Sequence, residues 1–279
     1  MQRQFDTPEP IGLTVEIGRG RVRIHATTTD ITTVDVEGPD ADEVEVSQDG
    51  NDVRVIAPKR GGGFFGKDHD LDVDVTLPTD SLIAVKTGSA DISIDGQVAE
   101  TRLKTGSGDI TCDTFSGAAS IDTGSGDVEV SEAHAELRIK SGSGDVSVGS
   151  CVKELSVSTG SGDVEVGTAN ARTVVKTGSG DLKVVTANDD VSLSTGSGDL
   201  TVGAARRGRV SAKGASSDVH IGIPAGTPVW ADINTVTGKV RSNLESVGAP
   251  QEGQDHIELE ARTVSGDIVL TQVSPHHHH

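Results

Sequence analysis

Hydrophobic residues in the middle of the chain fall into three rows, and each row repeats every 18 residues. Two of the rows lie two residues apart, as at Val128 and Val130, an alternation that points one face of a short β-strand inward. The members of the three rows are Ile92, Ile110, Val128, Val146, Val164, Leu182 and Leu200; Ile94, Cys112, Val130, Val148, Val166, Val184 and Val202; and Val85, Leu103, Ile121, Ile139, Val157, Val175 and Leu193.

A five-residue turn, Thr-Gly-Ser-Gly-Asp, separates the third row from the first. Leu193 and Leu200 are seven residues apart, an odd number, so one alternating strand cannot join them and the chain must turn a corner. Glycine allows positive φ there without a steric cost, and the Asp is expected to accept hydrogen bonds from turn amides. The predicted turn glycines, whose spacing continues to Gly214, are Gly88, Gly106, Gly124, Gly142, Gly160, Gly178 and Gly196.

This periodicity predicts an all-β fold: a single-stranded β-solenoid (β-helix) with 18-residue coils and almost no helix. Stacked coils would lie about 4.8 Å apart, which is the spacing of hydrogen-bonded strands. Equivalent residues would then form ladders, and each coil would bury its apolar rows against its neighbours. In particular, Val85 and Leu103 must lie on adjacent coils.

The pattern is less regular at both ends, which suggests three segments of one continuous domain. Residues 1–80 are expected to form an N-terminal hairpin and capping coils, with a turn near Asp49-Gly50 and with Arg21 in the Asp column. Residues 81–218 form the regular solenoid, and 219–275 form irregular C-terminal coils with Lys239 in the Asp column. Residues 276–279 are read as part of an expression tag.

Composition narrows the function classes. The 43 acidic and 24 basic side chains give a formal charge of -19, so a nucleic acid would be repelled. No run of 18 to 20 apolar residues predicts a transmembrane segment, and no apolar export signal follows Met1. The expected localisation is cytoplasmic, with export as the alternative if a signal or anchor has been trimmed from the N-terminus.

The T-G-S-G-D-[VIL]-x-V repeats, with Leu77-Pro78 before the first regular coil and Ile223-Pro224 after the last, carry a family resemblance. The chain resembles the bacterial "putative-adhesin" β-repeat family of unknown function, also called toastrack domains, from about Ile11 to Leu270. The resemblance implies a β-solenoid and a role in interaction or in envelope-stress and regulatory systems. It implies no catalytic residue.

The recurring aspartates are the main metal-binding candidate. Stacked about 5 Å apart, neighbouring carboxylates repel by about 1 kcal/mol even in water, and bound cations would relieve that repulsion. The candidate calcium ligands are Asp109, Asp127, Asp145, Asp163, Asp181 and Asp199. The alternative is that these carboxylates cap the turns. Four further carboxylates alternate on one strand face, which is read as a solvated surface: Asp68, Asp70, Asp72 and Asp74.

A loop near residue 64 is the candidate contact with a partner or a membrane. Phe64 and Phe65 stand between Lys59 and Arg60 on one side and Lys67 on the other, an apolar and basic tip on an acidic chain. Such a tip could dock a partner or lie peripherally on a membrane. The alternative is that both rings fold back and cap one end of the solenoid.

The sequence contains no G-x-S-x-G or H-E-x-x-H motif. Residues 61–67 match G-x-x-x-x-G-K, but Asp68 stands where a nucleotide-binding loop has Ser or Thr, and a strand-like alternation follows instead of a helix. We therefore expect neither an enzyme nor a cofactor. Trp230, the single tryptophan, is expected in the core of a terminal coil. The favoured function is a non-catalytic scaffold or protein-interaction module. The alternatives are a self-assembling, filament-like structural protein that associates through its end coils and, less favoured, a calcium-binding protein or surface adhesin.

Overall fold

A computed structural model describes residues 1–58, 70–245 and 255–274. These residues form two compact units, which divide the chain into Met1–Gly144 and Asp145–His279. In the described part the helical structure is one short 3-10 helix, Ala41–Glu43. The all-β prediction is therefore confirmed, whereas the three segments and the single continuous domain stay predictions.

The described part of the first unit contains twelve strands. They are β1 Gln2–Asp6, β2 Gly12–Thr27, β3 Ile31–Glu37, β4 Glu45–Asp49, β5 Asp52–Ile56, β6 Asp70–Pro78, β7 Leu82–Val98, β8 Thr101–Thr105, β9 Ile110–Phe115, β10 Ala119–Thr123, β11 Val128–Ala133 and β12 Leu137–Ser141.

The described part of the second unit contains thirteen strands, most of them five to seven residues long. They are β13 Val146–Cys151, β14 Leu155–Thr159, β15 Val164–Ala169, β16 Thr173–Thr177, β17 Leu182–Ala187, β18 Val191–Ser197, β19 Leu200–Ala205, β20 Gly208–Ser216, β21 Val219–Pro224, β22 Val229–Thr235, β23 Val240–Ser242, β24 Ile257–Thr263 and β25 Ile268–Val273.

Strands 18 residues apart pair in parallel and in register, as the periodicity predicts. Val85 pairs with Leu103 in the first unit, and Val146 pairs with Val164 in the second. The paired positions are members of the apolar rows, and these side chains are at most 2 % exposed throughout both units. Each coil thus buries its apolar rows against the next coil, so the predicted solenoid is confirmed.

The N-terminal coils do not stack in chain order. Strand β2 lies between β7 on one side and β5 and β6 on the other, all in parallel. Arg21 pairs with Asp91, which confirms its predicted place in the Asp column. Antiparallel strands end the stack: β4 pairs with β5 through a hairpin at Gly50, and β3 joins β6 to β1. The predicted hairpin is therefore present.

The spacing changes at the last regular corner. Thr195 pairs with Gly214, so this coil has 19 residues and Gly214 stands in the Thr column. Its predicted place in the glycine column is wrong. A Cβ on Gly214 would lie 2.4 Å from the Oγ of Ser217, because the Ser217 side chain fills the space that a threonine side chain occupies in other coils.

The C-terminal coils are also out of chain order. Strands β24 and β25 stack on β20 and β21, and the earlier strands β22 and β23 stack on β24 and β25. Lys239 continues the Asp column, as predicted, because its amide bonds to Asp267. Trp230, however, is 76 % exposed. Its predicted core position is wrong, because it lies at an outward position of the outermost coil.

Candidate functional site

The aspartate column forms a hydrogen-bonded ladder along the corners. In the first unit the backbone N–H of Asp127 donates to Oδ1 of Asp109 at 2.9 Å. In the second unit the N–H of Asp181 donates to Oδ1 of Asp163 at 2.7 Å. The donors are corner amides, as predicted, and they lie one coil further on. These carboxylates thus satisfy amides of the next coil and tie neighbouring corners together.

This geometry gives the aspartates a structural role. In the part of the chain that the structure describes, no group of three or more His, Cys, Asp or Glu side chains is arranged to hold a metal ion. In an aspartate that bonds to the next coil, one carboxylate oxygen already accepts a backbone N–H, as Asp109 does from Asp127. Calcium binding by the six predicted aspartates stays an untested prediction, and their capping of a neighbouring corner is the observed contact.

The threonine column closes each corner from the inside. Oγ1 of Thr123 accepts the N–H of Gly126 at 3.0 Å, and Ser141 makes the same bond to Gly144 at 2.9 Å. Thr123 is 7 % exposed and Ser141 is 8 % exposed. These hydroxyls therefore satisfy buried turn amides that would otherwise lack a partner. The sequence analysis did not assign this role, although the Thr and Gly columns keep a constant spacing of three residues.

The glycine column is required for a reason other than the predicted one. A Cβ on Gly124 would lie 2.3 Å from the carbonyl oxygen of Gly106, and one on Gly178 would lie 2.5 Å from that of Gly160. Stacked backbones thus approach too closely for a side chain. Among the regular corners described, Gly198 has a positive φ, +129°, but the seven predicted turn glycines do not. Close packing between coils, not φ, selects glycine there.

A second ladder lies on the outward face of β2 and β6. The guanidinium of Arg23 bonds both oxygens of Asp74, at 2.6 and 2.8 Å, and Arg21 reaches Asp72 at 3.0 Å. The two strands pair in parallel, so alternate side chains of one meet those of the other. The described part of this Asp face is partly exposed, and its side chains form a row of ion pairs with the arginines of β2, whereas Asp68 lies outside the described residues.

Hydrogen bonding from Arg23 holds the pKa of Asp74 below its ordinary value. The carboxylate stays charged at neutral pH, and the ladder links segments 51 residues apart in sequence. The sequence contained a signal for it, since R-x-R-x-R at 19–23 matches D-x-D-x-D at 70–74 in period and opposite charge. A groove of about 630 Å³ beside this ladder is lined by Arg19, Arg21, Glu37, Asp70, Asp72 and Asp91.

Asp80, in the turn between β6 and β7, joins three segments of the chain. Its Oδ1 accepts the Ser116 hydroxyl at 2.6 Å and the Gln97 side-chain amide at 2.9 Å. These two hydrogen bonds lower the pKa of Asp80. Asp80 also has φ of +60°, an uncommon conformation for a non-glycine residue. The contacts fix the link between β6 and β7 against the next coil.

The predicted contact loop lies outside the described residues. This holds for Lys59, Arg60, Phe64, Phe65 and Lys67, so the docking and capping alternatives both stay predictions. Within the described ranges, no helix has the length and apolar character needed to cross a bilayer.

Potential nucleophiles in the described coils are used in packing. Cys112 is fully buried, and burial raises the pKa of its thiol well above the ordinary value. Burial also raises the pKa of the Cys151 thiol. A protonated, enclosed thiol is a poor nucleophile. A pocket of about 240 Å³ in the second unit is lined by Ile223, Pro224, Val229, Leu244 and Gln272, among others, and contains no acid–base pair of catalytic type.

Comparison with known proteins gives a family match. The family model described as Toastrack DUF4097 matches residues 12–174, more than half of the chain. A search of the curated proteins finds no match.

Solved structures with full-length coverage have low identity. A "putative adhesin" from Bacteroides fragilis is 14% identical, with 97% of this chain and 96% of that chain covered and a TM-score of 0.38. A "putative lipid binding protein" from Parabacteroides distasonis is 13% identical, with 98% and 95% covered and a TM-score of 0.37. A "putative adhesin" from Parabacteroides merdae is 11% identical, with 98% and 94% covered and a TM-score of 0.32.

Proposed function

Since the chain belongs to the Toastrack DUF4097 family, we propose that it is a non-catalytic scaffold that binds partner proteins through its outward-facing surface. One observation supports this most strongly. The inward rows pack against each other, and the polar corner side chains are used in hydrogen bonds within the fold: Asp109 accepts an N–H of the next coil, and Thr123 accepts one of its own corner. The side chains at outward positions therefore remain available for binding to other molecules.

The proposed primary contact is the loop that carries Phe64 and Phe65. Two aromatic rings beside three basic residues differ in character from the acidic remainder of the chain. Aromatic and basic side chains are enriched where proteins bind partners or anionic surfaces. We place the protein in the cytoplasm, in line with its sequence, and expect it to act there without a cofactor.

The test compares the intact protein with a variant that carries Phe64→Ser and Phe65→Ser. Partner capture from a lysate and sedimentation with anionic phosphatidylserine vesicles are measured beside the melting temperature. Lost capture at an unchanged melting temperature supports the contact. Unchanged capture with a lowered melting temperature assigns both rings to a cap and removes the loop from the proposal. The matched control is Val185→Ser, an exposed apolar side chain on β17.

A further inference from the structure

The outermost coil of the second unit, which we call the end coil (Val229–Ser242), has an open side. Strand β22 pairs with β24, and within the described residues no strand pairs with its other edge. Such an edge presents a row of free N–H and C=O groups that can pair with another strand.

Apolar side chains are uncovered on the end coil. Ile233 pairs with Ala261, which is fully buried, yet Ile233 itself is partly exposed. Ala231 pairs with buried Leu259 and is exposed. Trp230 is 76 % exposed beside them. The inward row is buried in every other coil that the structure describes in this unit, whereas among the described residues no neighbouring coil covers the end coil.

The first unit ends in a strand that matches this edge. Strand β4 pairs with β5, and again no described strand pairs with its other side. Val46 pairs with Val55, Val55 with Val15, and Val15 with Val85, so Val46 ends the third apolar row. Ile233 ends the same row in the second unit, through Ala261, Ala212 and Leu193. A second copy could therefore continue the row.

The charges favour pairing of β4 with the end coil over pairing of two β4 strands or of two end coils. Residues 30–54 contain nine acidic side chains and one basic side chain, whereas the end coil contains one acidic side chain, Asp232, and two basic ones, Lys239 and Arg241. In the antiparallel register that sets Val46 opposite Ile233, Ser47 meets Asp232 and Asp49 meets Trp230. No like charges face each other, so the register avoids the cross-strand repulsion that would oppose it.

We propose that the end coil binds a second copy of this chain head to tail, by strand addition of β4 of the other copy to β22. The contact joins an acidic cap to a basic, apolar coil and continues the third apolar row across the interface. Binding between two copies goes beyond the partner binding proposed above. It is measured by self-association of the purified chain alone, so either proposal can fail without the other.

The first experiment is sedimentation velocity of the intact chain from low to high micromolar concentration. The wild type should associate with increasing concentration. Trp230→Glu sets a carboxylate opposite Asp49 and should weaken association by about tenfold or more. Adding Asp49→Lys to that variant should restore association through a Lys–Glu pair. Both side chains are exposed, so folding should survive, which circular dichroism verifies. Val185→Glu is the control and should change nothing.

The second experiment tests the head-to-tail arrangement. Trp230→Glu weakens binding at the end coil and Val46→Lys weakens binding at β4, so each variant alone should associate about tenfold or more weakly than the wild type. An equimolar mixture should form a dimer at wild-type affinity through the two intact surfaces. A wild type that stays monomeric over the whole range overturns the proposal. So does a Val46→Lys variant that self-associates at wild-type affinity, since that would place two end coils together, or a mixture that stays monomeric while both variants are folded.

Discussion

At the residue scale, the corners depend on three side-chain columns with different tasks. Glycine removes a side chain where backbones meet, as at Gly124. Threonine or serine satisfies a buried amide inside the corner, and aspartate satisfies an amide of the next coil. Each task is local and repeats with the coil, so single substitutions can separate the three contributions.

Gly124→Ala tests the close approach. The new Cβ would lie 2.3 Å from the carbonyl oxygen of Gly106, so the backbone must shift. Overpacking of this kind costs about 1–3 kcal/mol. Urea denaturation should show that loss in the free energy of unfolding. Ser125→Ala, at the exposed neighbouring position, is the control and should stay within about 0.5 kcal/mol of wild type. Equal stability of the two variants would contradict the argument.

Thr123→Val tests the buried hydroxyl. The shape of the side chain is kept, but the N–H of Gly126 loses its acceptor. An unsatisfied buried donor costs about 1–3 kcal/mol, measured as the change in the free energy of unfolding. Thr123→Ser should recover most of this loss, because Ser141 makes the same bond at the equivalent position. If Ser is as destabilising as Val, lost packing rather than the hydrogen bond determines the effect.

At the element scale, strand pairs between distant segments organise the first unit. Strand β2 contacts β5, β6 and β7, and its arginines meet the aspartates of β6. The sequence shows the period-two alternation on each strand, but it does not show which strand pairs with which. Pairing of β2 with β6 converts two separate charged faces into one ladder.

The Arg23–Asp74 pair predicts a pH dependence. Asp74 has a lowered pKa in the folded protein, so its contribution is present above the unfolded pKa and is lost as pH falls through the folded pKa. Asp74→Asn should therefore destabilise the protein near pH 7, and the difference from wild type should disappear in acid below the lowered pKa. Melting temperatures from pH 2 to pH 7 measure this. Ser93→Ala on β7 is the control, with no expected pH dependence. A difference that persists in acid would contradict the ion-pair explanation.

At the scale of the whole molecule, the coil is the unit of construction. In a repeat array, stability is approximately a sum of coil terms and nearest-neighbour terms. The regular coils are interchangeable because their columns agree in register, as Val146, Val164 and Leu182 do. The two ends differ from this pattern and from each other, since antiparallel strands end the first unit and an open parallel coil ends the second.

Deleting one complete coil tests this construction. Removal of Val164–Asp181 joins Asp163 to Leu182, which then takes the place of Val164 opposite Val146. This variant should fold cooperatively with wild-type-like circular dichroism. Removal of residues 164–180 is the matched control, because a one-residue shift turns the following apolar side chains outward. It should lose the cooperative transition. Similar behaviour of the two deletions would contradict a register-dependent core.

The sequence by itself determined the coil length, the inward rows, the position of the corners and the all-β fold, because these follow from periods that each coil repeats locally. Tertiary structure decided what lies between coils: the order of the end coils, the backbone approach that requires glycine at Gly124, the direction of the aspartate bonds, and the pairing of Arg23 with Asp74. It also placed Trp230 on the surface. These features depend on which strands pair across long stretches of the chain. A local pattern of hydrophobic and polar residues is compatible with more than one such pairing.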